Sequence, residues 1–145
     1  MTVNWLIGDV REKLAELPDE SVHCVVTSPP YFGLRDYGVA GQIGLEPTPA
    51  EFVAVMVEVF REVRRVLRKD GTCWINLGDS YANDGKWGGS TGGKHVAALQ
   101  GGTGVGRRKV TTGLKPKDLV GIPWRVAFAL QADGWWLRSD IIWSK

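Results

Sequence analysis

The chain has 145 residues, 43% of them hydrophobic, and a formal net charge of +2. That is the size of one domain and too apolar for a disordered chain. No apolar run approaches the ~18 residues of a membrane span, and no basic-then-apolar start marks a secretory signal, so a soluble cytoplasmic protein is expected.

Val3 to Ile7 reads as a short strand. Asp9 follows as a helix cap, with Glu12 as its reciprocal partner, and that helix runs to about Leu17. Pro18-Asp19-Glu20-Ser21 forces a turn. Val22 to Thr27 is apolar and β-branched, a buried strand that ends abruptly at Ser28-Pro29-Pro30. Phe32 to Pro47 is loop-like. Thr48-Pro49-Ala50-Glu51 is a helix start with cap, proline and capping-box glutamate. Phe52, Val55, Met56, Val59, Val63, Val66 and Leu67 then recur at helical spacing and face a core, while Glu58, Arg61, Glu62, Arg65 and Arg68 face water. Gly71 is expected to end the helix in the left-handed conformation, with Thr72 to Leu77 as the next strand.

A glycine-rich loop at about 82–114 breaks the rhythm. Between Gly85 and Lys117 lie seven Lys or Arg residues and no acidic residue. A short helix near His95 to Gln100 is expected within it. Pro123 to Asp133 is read as a helix stopped by Gly134, and Trp135 to Trp143 as a long strand. Alternation of this kind predicts an α/β fold with a parallel sheet and helices on both faces. Cys24 and Cys73 lack a CxxC spacing, so buried reduced thiols and no metal site are expected. Seven tryptophans are many for this length; composition does not separate core rings from stacking surfaces.

In parallel sheets ligands bind beyond the carboxyl ends of strands. The residues there are Gly8-Asp9, Ser28-Pro29-Pro30-Tyr31 and Gly78-Asp79-Ser80-Tyr81. The proline pair has fixed φ and no N–H groups, so it offers rigid carbonyl acceptors. Ser28 adds a hydroxyl and Tyr31 a flat ring. That set suits an exocyclic amine on a planar base: acceptors bind its hydrogens, the ring holds the base, and positioning supplies rate. A base within a duplex must be flipped out to reach it.

The run Thr27-Ser28-Pro29-Pro30-Tyr31 resembles the catalytic loop of amino-group DNA methyltransferases acting on cytosine N4 or adenine N6. The continuation Phe32-Gly33-Leu34-Arg35-Asp36-Tyr37-Gly38 is similar to bacterial and phage members. So are the stretches Arg65 to Thr72 and Gly134 to Lys145. The resemblance implies a partial Rossmann-like sheet, S-adenosylmethionine as methyl donor and double-stranded DNA as partner. It puts Ser28, Pro29, Pro30 and Tyr31 in catalysis, and Asp9 and Thr27 at the cofactor, although Asp9 reads equally as a helix cap. It puts Phe32, Asp79 and Tyr81 at the substrate, although a turn-forming role is the favoured reading of Asp79 and Tyr81. Arg107, Arg108 and Lys109 would meet DNA phosphates. Serine before the prolines favours cytosine N4 over adenine N6. Methylation at cytosine C5 needs a cysteine nucleophile, normally after proline, a setting that neither Cys24 nor Cys73 has.

Permuted members carry a Phe-x-Gly-x-Gly donor loop near the C-terminus, which is not seen up to Lys145. The chain is therefore expected to be the N-terminal part of one catalytic domain. Alone it should not methylate DNA efficiently, and the missing half and a restriction endonuclease are expected counterparts. A bacterial or phage protein associated with the nucleoid is implied. The alternatives are a non-catalytic DNA-binding remnant, and methylation of RNA or of a protein glutamine.

Overall fold

The computed structural model describes residues 2–82 and 112–144. The described elements run α1 (Val10–Ala15), β1 (Val22–Thr27), α2 (Pro49–Val66), β2 (Leu67–Ile75) and α3 (Ile122–Ala132). β1 and β2 pair in parallel with α2 as the crossover, a βαβ unit. The fold is thus α/β with a small parallel sheet. No helix of the described residues is long and apolar enough to cross a membrane.

α2 starts where the sequence indicates. Thr48 accepts from Glu51 N at 3.2 Å, and the Glu51 carboxylate accepts from Thr48 N at 3.0 Å. Its apolar stripe buries Phe52, Met56, Val59, Phe60, Val63 and Val66. All of these but Val66 meet Ile122, Val126 and Leu130 of α3, with Phe32, Ile43, Ala82 and Val120 from the loops. Arg65 does not simply face water. Its guanidinium donates to Leu14 O at 2.8 Å and Leu17 O at 3.0 Å, and meets Asp19 at 2.5 Å. It thereby fastens the exposed carbonyl end of α1 to α2.

Several expectations need correction. α2 ends at Val66, and Leu67 already has extended backbone. Gly71 lies inside β2, where the register slips between Val22 and Cys24. A Cβ there would sit 2.9 Å from His23 O, so close approach of two backbones, not left-handed φ, requires glycine. β1 is not buried. Val25 and Cys73 pack against the helices, while Cys24, Val26, Thr72 and Trp74 face outward and are exposed. Among the described residues, helices therefore cover only one face of the sheet.

Residues 3–7 and 135–143 form no strand. Both have strand-like composition, but an isolated strand has no ladder partner. The Asp9 cap is present, though Arg11 and not Glu12 is its partner. α3 ends one residue before the expected Asp133. The short helix near His95 to Gln100 and most of the glycine-rich loop lie outside the described residues.

Candidate active site

β1 delivers Ser28 at its carboxyl end, and β2 delivers Gly78 from the same end, because parallel strands exit one edge. Asn76 N donates to Thr27 O at 2.9 Å, extending the ladder up to the turn. Ser28, Pro29, Pro30, Tyr31, Leu34, Arg35 and Tyr37 line a cleft of about 300 Å³. That is the lower end of the size of small-molecule pockets. A larger cleft of about 570 Å³ has Arg11, Asp36, Gly38, Gln42 and Glu46 in its wall and shares no residue with the first. Loop 34–38 divides them, sending Arg35 and Tyr37 to one side and Asp36 and Gly38 to the other. The larger cleft's polar groups are largely engaged: Glu46 accepts from Gly44 N, Asp36 from Gly38 N, and Arg11 pairs with Asp9. The smaller cleft is the one with chemistry free to act.

The Ser28 hydroxyl donates to the Tyr31 hydroxyl at 3.4 Å. This is long for O–H···O, so the serine oxygen stays available as an acceptor. The Tyr31 ring is half-buried because it lies over Gly78. A Cβ on Gly78 would be 2.7 Å from Tyr31 Cε2 and 2.8 Å from Cδ2. Two of the three clusters expected at the sheet edge, the Ser28–Tyr31 turn and the Gly78 loop, are thus in contact.

The next residue, Phe32, is only 3% exposed and meets the Phe52 ring at 5.4 Å between centroids. It is not among the cleft residues; it plugs the loop into the core. Thr27 ends β1 half-buried. Asp79 turns away from the cleft: its carboxylate accepts from Gly121 N and Ile122 N, both at 3.0 Å. It supplies α3 with the cap that Gly121 cannot, and its charge suits the positive helix end. Tyr81 is exposed and bridges Leu119. Arg107, Arg108 and Lys109 lie outside the described residues.

Asp9 accepts from Arg11 Nε at 2.8 Å and from Arg11 N at 2.9 Å, and ion-pairs with the guanidinium at 2.6 Å. The Arg11 side-chain hydrogen bonds, then its backbone N–H, lower the Asp9 pKa to about 2. A carboxyl depressed in the folded state stabilises above its unfolded pKa and loses that contribution as pH falls through the folded one. The Tm difference between the native chain and Asp9→Asn should therefore be flat above pH 4 and close between pH 4 and 2. A difference that instead grew on acidification would contradict this assignment.

Cys73 is half-buried, and burial raises its pKa to about 11, with Cys24 adding to the effect. It is a neutral thiol near pH 7 and a poor nucleophile. Cys24 is exposed, contrary to expectation, and neither cysteine lines the cleft. Among the described residues no group of acids, histidines and cysteines could hold a metal ion.

A family model for DNA methylases, of the N6 and N4 type, matches residues 22–145, from the start of β1 onward. The chain belongs to this DNA methylase family. The Type II methyltransferase M.SmaI of Serratia marcescens is 51% identical over 97% of the chain, and M.XycI of Xanthomonas campestris pv. cyanopsidis 53% over 95%. M.SfiI of Streptomyces fimbriatus is 45% identical over 96%. The DNA methylase chain spans 47%, 45% and 29% of those three relatives. No solved structure matches.

Leu34, Arg35 and Tyr37 were not assigned a role from sequence, nor was Gly78. The signal for the first three was their position directly after the proline turn, in the run that resembles bacterial and phage members. Gly78 was placed at the sheet edge with its cluster, but its contact with Tyr31 was not foreseen, because a close approach between two loops is invisible until both are placed.

Proposed function

We propose that the chain forms the base-binding part of an S-adenosylmethionine-dependent DNA methyltransferase acting on an exocyclic amine, cytosine N4 ahead of adenine N6. The observation that carries this is the cleft lined by Ser28, Pro29, Pro30 and Tyr31 at the carboxyl end of β1, in a chain matched by the DNA methylase family over β1 and beyond. Ser28 Oγ and the Pro29 carbonyl accept the hydrogens of the amine. The Tyr31 ring, backed by Gly78, holds the flipped base by stacking. The nitrogen lone pair is then turned outward, and no covalent bond to the protein is formed.

S-adenosylmethionine supplies an electrophilic methyl group on a sulfonium. The chain's own residues suit it in one respect: Arg11 takes two of its bonds to Asp9 Oδ1 and one to Oδ2, so the part-exposed Oδ2 keeps a lone pair for a donor group of an adenosine. Thr27, beside the catalytic turn, is the other candidate. In the complete protein the small sheet becomes part of a Rossmann-like one. Trp5, Ile7, Trp136, Ile142 and Trp143 in the two unpaired segments are 81–87% exposed, a state that added strands would end. The acid-free basic run, including Arg107, Arg108 and Lys109, meets DNA phosphates. By likeness to its Type II relatives the enzyme would act beside a restriction endonuclease.

The test is nucleoside analysis of DNA treated with the full-length protein and labelled donor. N4-methylcytosine is expected. N6-methyladenine alone would reverse the choice of base, and 5-methylcytosine would end the amine reading.

Gly78 gives a sharper prediction. Gly78→Ala drives a methyl group into the Tyr31 ring and should lower kcat/KM about tenfold or more, since small misplacements are costly. In a Tyr31→Ala background the same change should be nearly silent. Equal losses in both backgrounds would show that Gly78 does not act through Tyr31.

A further inference from the structure

The wall of the cleft beyond Tyr31 is braced from behind. Gln42 Nε2 donates to Arg35 O at 2.9 Å, and Gln42 Oε1 accepts from Tyr37 N at 2.7 Å. Asp36 Oδ1 accepts from Gly38 N at 2.8 Å. Gly33 N donates to Gly44 O at 2.7 Å, closing the base of the loop. With the backbone so engaged, the side chains of Arg35 and Tyr37 are left to the cleft, both exposed.

Among the described residues that line the cleft, Arg35 alone carries a formal charge. It takes no part in the ion pairs of the described residues, which use other arginines and lysines. A cleft with two phenol rings and one guanidinium that has no ion-pair partner among the described residues matches a ligand that is both planar and anionic. A nucleotide within a strand is such a ligand: the rings take the base, and the guanidinium takes a phosphate through its fork of donors.

We infer that Arg35 clamps a backbone phosphate beside the flipped nucleotide and that Tyr37 forms a second aromatic wall for the base. Gln42 holds the backbone of both residues. The inference rests on the reading of this cleft as the base pocket, and adds to it the residues that tie base and strand together.

The experiment is DNA binding by the full-length protein across a salt series, followed by fluorescence anisotropy, with calorimetry of S-adenosylmethionine alongside. Arg35→Gln should make the slope of log affinity against log salt shallower by about 0.9, one phosphate contact. Arg35→Lys should keep the slope. Tyr37→Ala should weaken binding about tenfold with the slope unchanged, and Tyr37→Phe should not. Cofactor affinity should be the same in every variant. An unchanged slope in Arg35→Gln, or a loss of cofactor affinity in its place, overturns the assignment. A wild-type protein that fails to bind DNA at all would remove the functional reading itself, a result distinct from either.

Discussion

Replacing Tyr31 by alanine in the full-length protein should lower kcat/KM for DNA methylation about 100-fold, while leaving the Tm nearly unchanged. The ring is half-buried against Gly78 and borders the cleft, so its loss removes a platform and no central part of the core. Stacking of a base on such a ring contributes about 1–3 kcal/mol. The rest of the loss comes from a base no longer held against Ser28 and Pro29. Tyr31→Phe should keep most of the activity, because the hydroxyl makes only a 3.4 Å contact with Ser28, too long to be worth much. Steady-state kinetics beside thermal melts separate the cases. An active Tyr31→Ala enzyme would contradict the assignment, and so would a loss explained wholly by unfolding.

Phe52→Ala should be the most damaging substitution to stability. Phe52 is fully buried and lies against Phe32, the residue that follows Tyr31. Truncating a buried phenylalanine costs about 3–5 kcal/mol, a large part of the about 5–15 kcal/mol that holds an ordinary domain together. A fall in Tm of about 10 °C or more is expected. The cavity would open under Phe32, so the proline turn would lose its anchor before the whole chain melts. Faster amide exchange at residues 31–34, measured below the melting range, should report that loosening. A melt within a few degrees of the native one would show that the core does not depend on this ring.

The parts of the fold that could be read from the sequence are those set by local chemistry. The capping box at Thr48, the apolar stripe of α2, the turn at Pro18 to Ser21 and the end of β1 at Ser28 all depend on neighbours in the chain. The failures share another cause. Val3 to Ile7 and Trp135 to Trp143 have strand composition, but pairing is a property of partners, and the described residues hold none for them. Gly71 was misjudged because glycine has two uses, and only the distance to His23 O shows which applies.

At the site, the proline turn was legible because rigid acceptors after a strand are a chemical statement in themselves. Asp79 was harder. An acidic residue after a strand looks the same whether it serves a ligand or a helix 43 residues away at Ile122. Arg65 misled for a similar reason: helical periodicity puts it on the polar face, yet the carbonyls of α1 are there to receive it.

The central claim is that a base leaves the duplex and comes to rest on Tyr31. The most direct measurement is photocrosslinking of the full-length protein to target DNA carrying 5-iodocytosine at the methylated position, with the linked peptide sequenced. The expected crosslink is to Tyr31 or Tyr37, and it should be lost from Tyr31 in Tyr31→Ala. Efficient crosslinking confined to residues outside 28–37 would contradict the account.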